Sequence, residues 1–485
     1  MLSTLKNALC NKILWYMAAR YLTFALQLIS SLYIAQKLGN YYWGIWSFIL
    51  LLANVGNMLN WGIGNSINIL LVQHKTESKL SAKYCYNGFI LSCLIMIPAI
   101  AFTAYERLIG IPFFAKYHVG NYSVLILLIV CIGYLNNFFV NVFRVKNRLF
   151  AIAFFQSAFP FTCFLLMFFA NGEKLLTLLM IGYFSAVSLA LIIFLCGKYI
   201  DWHEQIDFKI MCCIFLKGLY LFFYNACFLM IALSTKTIIS YYYPVESFGC
   251  FAFAFNLANA TLLLVDSFTF IAFPKMINML RAKETHIIVD RISFLRKCYL
   301  LCISGIVYLA IPGCWILLRF LPKYQSSFES FFIIVLALTL YPLCYGYNTF
   351  LLANNQEKKM AELVGIALLT NILLTYFAAG VLQLKMEFCA IGIMVVYFFF
   401  AVSIIFYARK RLCLNNRMKI FLDLFPLYSL VPFGIAFALF LFNKTSFIYT
   451  LIPLVVFLIL ATREVLFLKK FLLQFLNTPD ILNIK

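Results

Sequence analysis

The chain has 485 residues, 65% of them hydrophobic and only 11% charged, against about a quarter charged in a soluble domain. A water-soluble fold of this size has too much surface to cover with so few polar groups, which excludes a cytosolic enzyme, a disulfide-stapled secreted scaffold and a disordered chain. The 38 Lys and Arg outnumber the 17 Asp and Glu, for a net charge of +21; most sit in short stretches between apolar runs, so they mark membrane topology and not a nucleic-acid surface.

A lipid-spanning helix needs roughly 20 apolar residues. Such runs fall at about 13–36, 42–72, 84–104, 119–142, 149–170, 175–197, 211–242, 248–277, 298–320, 328–353, 361–382, 388–408, 421–442 and 446–468. They predict an all-α integral membrane protein of about fourteen transmembrane helices. A β-barrel would show short alternating segments instead. The first run is too long for a cleaved signal peptide, contains Arg20 and lacks a small-residue cleavage site. All connections read as short, the longest being a basic stretch around 278–297, so no segment has room for a soluble catalytic domain. No Asp-x-Asp pair, phosphate-binding glycine loop or His-Glu-x-x-His motif is present. The 16 Cys are scattered through apolar runs without metal-ligand spacing and read as small buried hydrophobes. Neither cofactor nor metal is expected.

With the N-terminus inside, the cytoplasmic segments collect Lys75, Lys79, Lys83, Arg144, Lys146, Arg148, the basic stretch from Lys275 to Lys297, and the cluster from Arg409 to Lys419. The opposite face holds only Lys37, Arg107, Lys116, Lys174, Arg319, Lys323, Lys385 and Lys444. This bias predicts an even number of spans with both termini cytoplasmic.

Two blocks repeat. Trp43-Gly44-Ile45-Trp46 is followed by Asn54, and Phe248-Gly249-Cys250-Phe251 by Asn259 at the same distance. Each block follows a span and a short outer loop, 37–42 in the first case and 244–247 in the second. Arg20 aligns with Asn225 at the same offset. Six spans separate the copies, so their orientation is the same, as in transporters whose two parallel halves rock around a midplane site. Each Gly is expected to let its helix start turn tightly behind the loop.

Three cations fall inside spans: Arg20, Lys217 and Lys236. A charge near the bilayer centre costs roughly 2.5–3.5 kcal/mol, so it faces a cavity, finds a partner or snorkels to an interface. Lys217 is placed to snorkel inward and Lys236 outward, and both are also candidates for a cavity. Asp266 is the only acid placed deep in a span, and either neutralises a nearby cation or carries ion coupling. The second span is rich in amides: Asn54, Asn57, Asn60, Asn65 and Asn68. Several follow helical steps, which predicts one polar helix face. Asn225 lies in the seventh span, and Asn256 and Asn259 share a face of the eighth. Amides can glue helices, at about 0.6 kcal/mol each, or line a cavity. Amides and an Arg suit sugar hydroxyls and phosphate oxygens.

At these residues the sequence resembles the polysaccharide-biosynthesis flippases of the multidrug/oligosaccharidyl-lipid/polysaccharide exporter superfamily, typified by the O-antigen flippases. The carriers are Ala19-Arg20-Tyr21, Ala35-Gln36-Lys37-Leu38-Gly39 and Trp43-Gly44-Ile45-Trp46. In the second half they are Thr235 to Tyr242, Pro244, Glu246, Gly249 and Phe251, with Phe273-Pro274-Lys275. The resemblance implies two pseudo-symmetric six-helix lobes, 1–200 and 201–412, followed by two extra helices and a tail over 413–485. It implies alternating access about a cationic cavity in the bacterial inner membrane, carrying an undecaprenyl-pyrophosphate-linked oligosaccharide. On this reading the cavity is formed by Arg20, Lys217, Lys236, Asn54, Asn57, Asn225, Asn256 and Asn259; other partners are membrane lipids and polysaccharide assembly proteins. Thr235 stands where many members of the family have Asp, so any role of that acid is missing. The rivals are a multidrug cation antiporter of the same superfamily, which would need cavity acids, and a glycan polymerase or ligase, which would need a large outer loop.

Overall fold

A computed structural model describes residues 12–74, 78–146, 148–197, 200–280, 285–354, 356–412, 426–442 and 446–477. The described residues are almost wholly helical, as lipid demands of a backbone that must satisfy its own hydrogen bonds. Among the described residues, nine helices are long and apolar enough to span a bilayer, or ten with one bent pair, and two further apolar helices are shorter.

The helices are α1 (Lys12–Met58), α2 (Ile63–Gln73), α3 (Ser78–Leu94), α4 (Met96–Ile109), α5 (Pro112–Ala115), α6 (Val119–Val145), α7 (Leu149–Leu166), α8 (Gly172–Cys196), α9 (Phe208–Tyr242) and α10 (Val245–Met279). They continue with α11 (Thr285–Arg319), α12 (Ser327–Ala337), α13 (Tyr347–Ala353), α14 (Glu357–Tyr376), α15 (Met386–Cys389), α16 (Ile391–Arg411), α17 (Leu427–Leu441) and α18 (Phe447–Asn477). Each apolar run of the sequence has a helical counterpart.

Four local expectations change. The outer loop expected over 37–42 is absent: α1 is interrupted only at Gly39, whose φ of 71° and ψ of 173° turn the chain, a conformation open to glycine. The second span is not one helix. It breaks after Met58, resumes at Ile63, and bends by 45°. Trp61 (φ 51°) and Gly62 (φ 71°) both take the left-handed conformation, which for a bulky residue costs of order 1–3 kcal/mol. Packing holds it there: the Trp61 ring lies 6.1, 5.8 and 6.3 Å from the rings of Phe215, Phe222 and Phe223. The tenth span is also broken, with a tight turn over Tyr341–Cys344 between α12 and α13. Pro342 contributes no N–H there, and Gly346 (φ 80°) restarts the chain. Finally, much of the basic stretch expected as loop is helical, because α11 already begins at Thr285.

The chain packs as two units. Met1–Ala226 with Tyr243–Gly249 form the first, and Cys227–Tyr242 with Cys250–Lys485 the second. In the first, α1 packs on α7, α6 and α8, and α2 on α6 and α3. Its core includes Ile67, Leu70, Phe138, Phe139, Phe143, Phe194 and Ile214. In the second, α12 is the most enclosed span, Ile333 to Ala337 being almost fully buried. The last two helices dock there: α18 packs on α11 and α17, Tyr308 Oη donates to the Ser429 carbonyl at 2.7 Å, and Lys297 pairs with Glu464. Large apolar side chains such as Phe150, Phe169, Leu373, Phe399 and Ile448 are exposed, as befits surfaces that meet lipid tails. The described cysteines are free; Cys85, Cys163, Cys250, Cys314, Cys344 and Cys389 are buried as expected, while Cys196, Cys212 and Cys213 are exposed.

Candidate transport site

In the second unit, Lys236 sits on α9 and is 6% exposed. It does not snorkel. Its Nζ lies 4.8 Å from the centre of the Phe255 ring on α10, within cation–π range. No carboxylate among the described residues pairs with it. Beside it is a polar cluster that the sequence reading passed over. The Asn371 amide on α14 donates to the Ile231 carbonyl at 2.8 Å, to Thr235 Oγ1 at 2.9 Å and to Ser234 Oγ at 3.1 Å. Thr235 and Thr375 hydroxyls are 3.4 Å apart. Asn371, Thr235 and Thr375 are fully buried, and Asn371 Oδ1 has no hydrogen-bond partner. The signal in the sequence was a lone amide in mid-span, Asn371, without the clustering that singled out Asn54 and its neighbours. In this chain Thr235, at the position where acids are common in the resembled family, anchors α9 to α14 through neutral hydrogen bonds.

The remaining expected site residues are spread out. Asn256 is partly buried and Asn259 exposed on α10; Lys217 and Asn225 are exposed on α9. The helices around Arg20 and Asp266 are described, but these two side chains lie outside the described residues.

In the first unit, the helix break divides the amides of the second span, so the single polar face expected from Asn54 to Asn68 does not exist. Asn54 is exposed on α1. Asn57 presses against Gly133 of α6, where no Cβ would fit, and its Oδ1 is buried without a hydrogen-bond partner. Asn68 donates to Asn141 Oδ1 at 3.4 Å, tying α2 to α6. Asn60, at the break, accepts from the Gly62 N–H at 2.9 Å. Asn60, Ser92, Tyr134 and Asn137 share a small recess with Ile63, Gly64, Ile95 and Phe138. Glu106, in the last turn of α4, is 7% exposed; the sequence reading placed it in a loop because the helix runs past residue 104.

The two repeat glycines have a different role from the expected turn. Gly44 and Gly249 lie within helices and touch. A Cβ on Gly249 would strike the Asn40 carbonyl and lie 3.1 Å from the Gly44 nitrogen; one on Gly44 would strike the Val245 carbonyl and lie 2.9 Å from Val245 Cγ1. The start of α10 therefore crosses α1 backbone to backbone. Around the crossing, Phe48 stacks on Tyr117 at 4.1 Å and both meet Phe248 edge-on. Lys116 Nζ donates to the Tyr243 carbonyl at 2.5 Å. Burial lowers the Lys116 pKa from its ordinary value, with Glu246 opposing.

Several solved transporters share the fold. The chain is similar to a multidrug resistance MATE family transporter of the MOP superfamily in an inward-facing conformation, with a TM-score of 0.67 at 11% identity over 82% of this chain and 98% of that one. It is similar to the lipid II flippase MurJ, inward closed, with a TM-score of 0.66 at 12% identity over 95% of this chain and 100% of that one. An outward-facing MATE transporter gives 0.59 at 12% identity over 83% of this chain and 96% of that one. No family model and no curated sequence matches the chain. The chain is thus a multi-pass helical membrane protein with the fold of the MATE and MurJ transporters.

Proposed function

We propose that the protein is a flippase that moves an undecaprenyl-pyrophosphate-linked oligosaccharide across the bacterial inner membrane, by alternating access of its two units, for a surface polysaccharide such as O-antigen. Both termini are cytoplasmic in this proposal. The observation that carries it is Lys236: a buried cation inside a span, with no carboxylate partner among the described residues, favours an anionic cargo. Pyrophosphate attraction falls to Lys236 and Arg20, and hydroxyl binding to the amides of both units. The greater reach of the MurJ likeness along the chain, compared with the MATE likeness, supports a lipid-linked cargo. A multidrug antiporter remains the second reading, supported by the MATE likeness and by the acids Glu106 on α4 and Asp266 on α10. The test is complementation of a deletion strain that needs the surface glycan. Lys236→Met protein present at the wild-type level should leave glycan output severely reduced, and Lys236→Arg should restore part of it. Full output with Lys236→Met, or increased drug sensitivity in the deletion strain with normal glycan, would refute the proposal.

A further inference from the structure

The helix break after Met58 leaves a recess in the first unit whose polar lining is not used up by the fold. Asn60 spends its Oδ1 on the Gly62 N–H and keeps its NH2. The Asn137 side-chain amide has no hydrogen-bond partner among the described residues; its backbone carbonyl, not its side chain, accepts from Asn141. Tyr134 Oη donates to the Gly56 carbonyl at 2.9 Å, and Ser92 Oγ to the Gly88 carbonyl at 2.8 Å, so each still has lone pairs to offer. The recess therefore presents amide donors from Asn60 and Asn137 and acceptor oxygens from Asn137, Tyr134 and Ser92. No carboxylate and no cation lines it.

The chemistry selects the ligand. An anion would meet unsatisfied acceptors, and a metal cation would meet amide donors and no charge. A hydroxyl group, which donates once and accepts at its lone pairs, fits both sets. Free space for a water-sized sphere is about 10 Å³, about what one water needs. The site takes one hydroxyl and not a whole sugar ring. The strained Trp61 and the bend that opens the recess are held by aromatic packing, so the seat is preorganised.

We infer that this recess is a seat for a single hydroxyl of the carried glycan, filled by water when the carrier is empty. The inference rests on the lipid-linked oligosaccharide reading and names where in the first unit the sugar is sensed. The seat gives the carrier a means of distinguishing a glycan-loaded lipid from bare lipid pyrophosphate.

The experiment measures binding of undecaprenyl pyrophosphate and of the same lipid bearing one repeat unit to the purified full-length protein. The readout is the ratio of the two Kd values. Loss of one hydroxyl's hydrogen bonds should shrink the preference for the glycan-loaded lipid by about five- to tenfold in Asn137→Leu and by a smaller factor in Ser92→Ala, which removes one acceptor with little change of shape. An unchanged ratio in Ser92→Ala and in a folded Asn137→Leu overturns the seat and leaves only a water site. A wild-type protein that binds neither lipid overturns the flippase reading itself, and the seat with it.

Discussion

Replacing Gly249 by Ala adds one methyl group at the crossing of α1 and α10. The atom it would strike is the Asn40 carbonyl, with Gly44 N at 3.1 Å behind it. Both belong to backbone, so no rotamer change relieves the overlap and the two helices must separate. Overpacking of this kind costs about 1–3 kcal/mol, offset by about 0.5–1 kcal/mol from replacing a helical Gly. Because the overlap is with backbone, the upper half of that range applies, and the net loss is about 1–2 kcal/mol, which at about 2–4 °C per kcal/mol for a unit of this size is a drop of roughly 2–8 °C in melting temperature. The assay is thermal unfolding in detergent, followed with a thiol-reactive dye that reports exposure of buried cysteines. Gly44→Ala, which meets the Val245 carbonyl, should behave alike. Gly182→Ala meets only the end of the Leu166 side chain and the Thr162 methyl, and Gly365→Ala meets nothing within 4 Å; these controls should melt within a degree or two of wild type or slightly above it. If Gly249→Ala and Gly44→Ala melt together with the controls, the backbone contact between α1 and the start of α10 is wrong.

Tyr308→Phe removes the hydroxyl that donates to the Ser429 carbonyl, a single hydrogen bond between α11 and α17, and should cost about 0.5–1.5 kcal/mol in the same unfolding assay. Lys297→Ala, which breaks a partly exposed pair with Glu464, should cost no more than about 1 kcal/mol; a larger loss would mean that the pair fixes α18 to α11. Asn371→Leu removes the donor shared by Ile231, Thr235 and Ser234; the Ser234 and Thr235 hydroxyls keep their bonds to the Ile231 carbonyl, so stability should fall by about 1–2 kcal/mol, whereas Asn371→Asp, which has no N–H to donate, should not rescue it.

The helices were legible because a lipid-exposed backbone has few options, and every apolar run is mostly helical where it is described, although the first two share α1. The breaks were not legible. Nothing in the local pattern separates Gly39, which interrupts α1, from Gly44, which lies inside it; what decides is that Gly44 must fit beneath Val245. Likewise, Trp61 takes a conformation that its own propensity opposes, because Phe215, Phe222 and Phe223 hold its ring. The amide-rich second span pointed to a polar region of the first unit, but assumed a continuous helix, so it grouped Asn54 with Asn68 and did not bring in Tyr134, Asn137 or Ser92 from other spans. Lys236 was identified from its place in an apolar run, and its burial was not, since a lysine of that depth can reach an interface when nothing packs over it. Asn371 carried the same mid-span signal and was overlooked because it stands alone in its span.

On the proposed function, an anionic lipid-linked glycan is what crosses the membrane. The direct measurement is reconstitution of the purified protein into liposomes that contain undecaprenyl-pyrophosphate-linked oligosaccharide, with a membrane-impermeant glycosidase or periodate added outside to count accessible head groups over time. With the wild-type protein, head groups from the inner leaflet should become accessible well beyond the half exposed at the start, and Lys236→Met should slow this strongly. A protein that leaves the count at its protein-free level, while expelling a cationic dye from the same liposomes, would contradict the account.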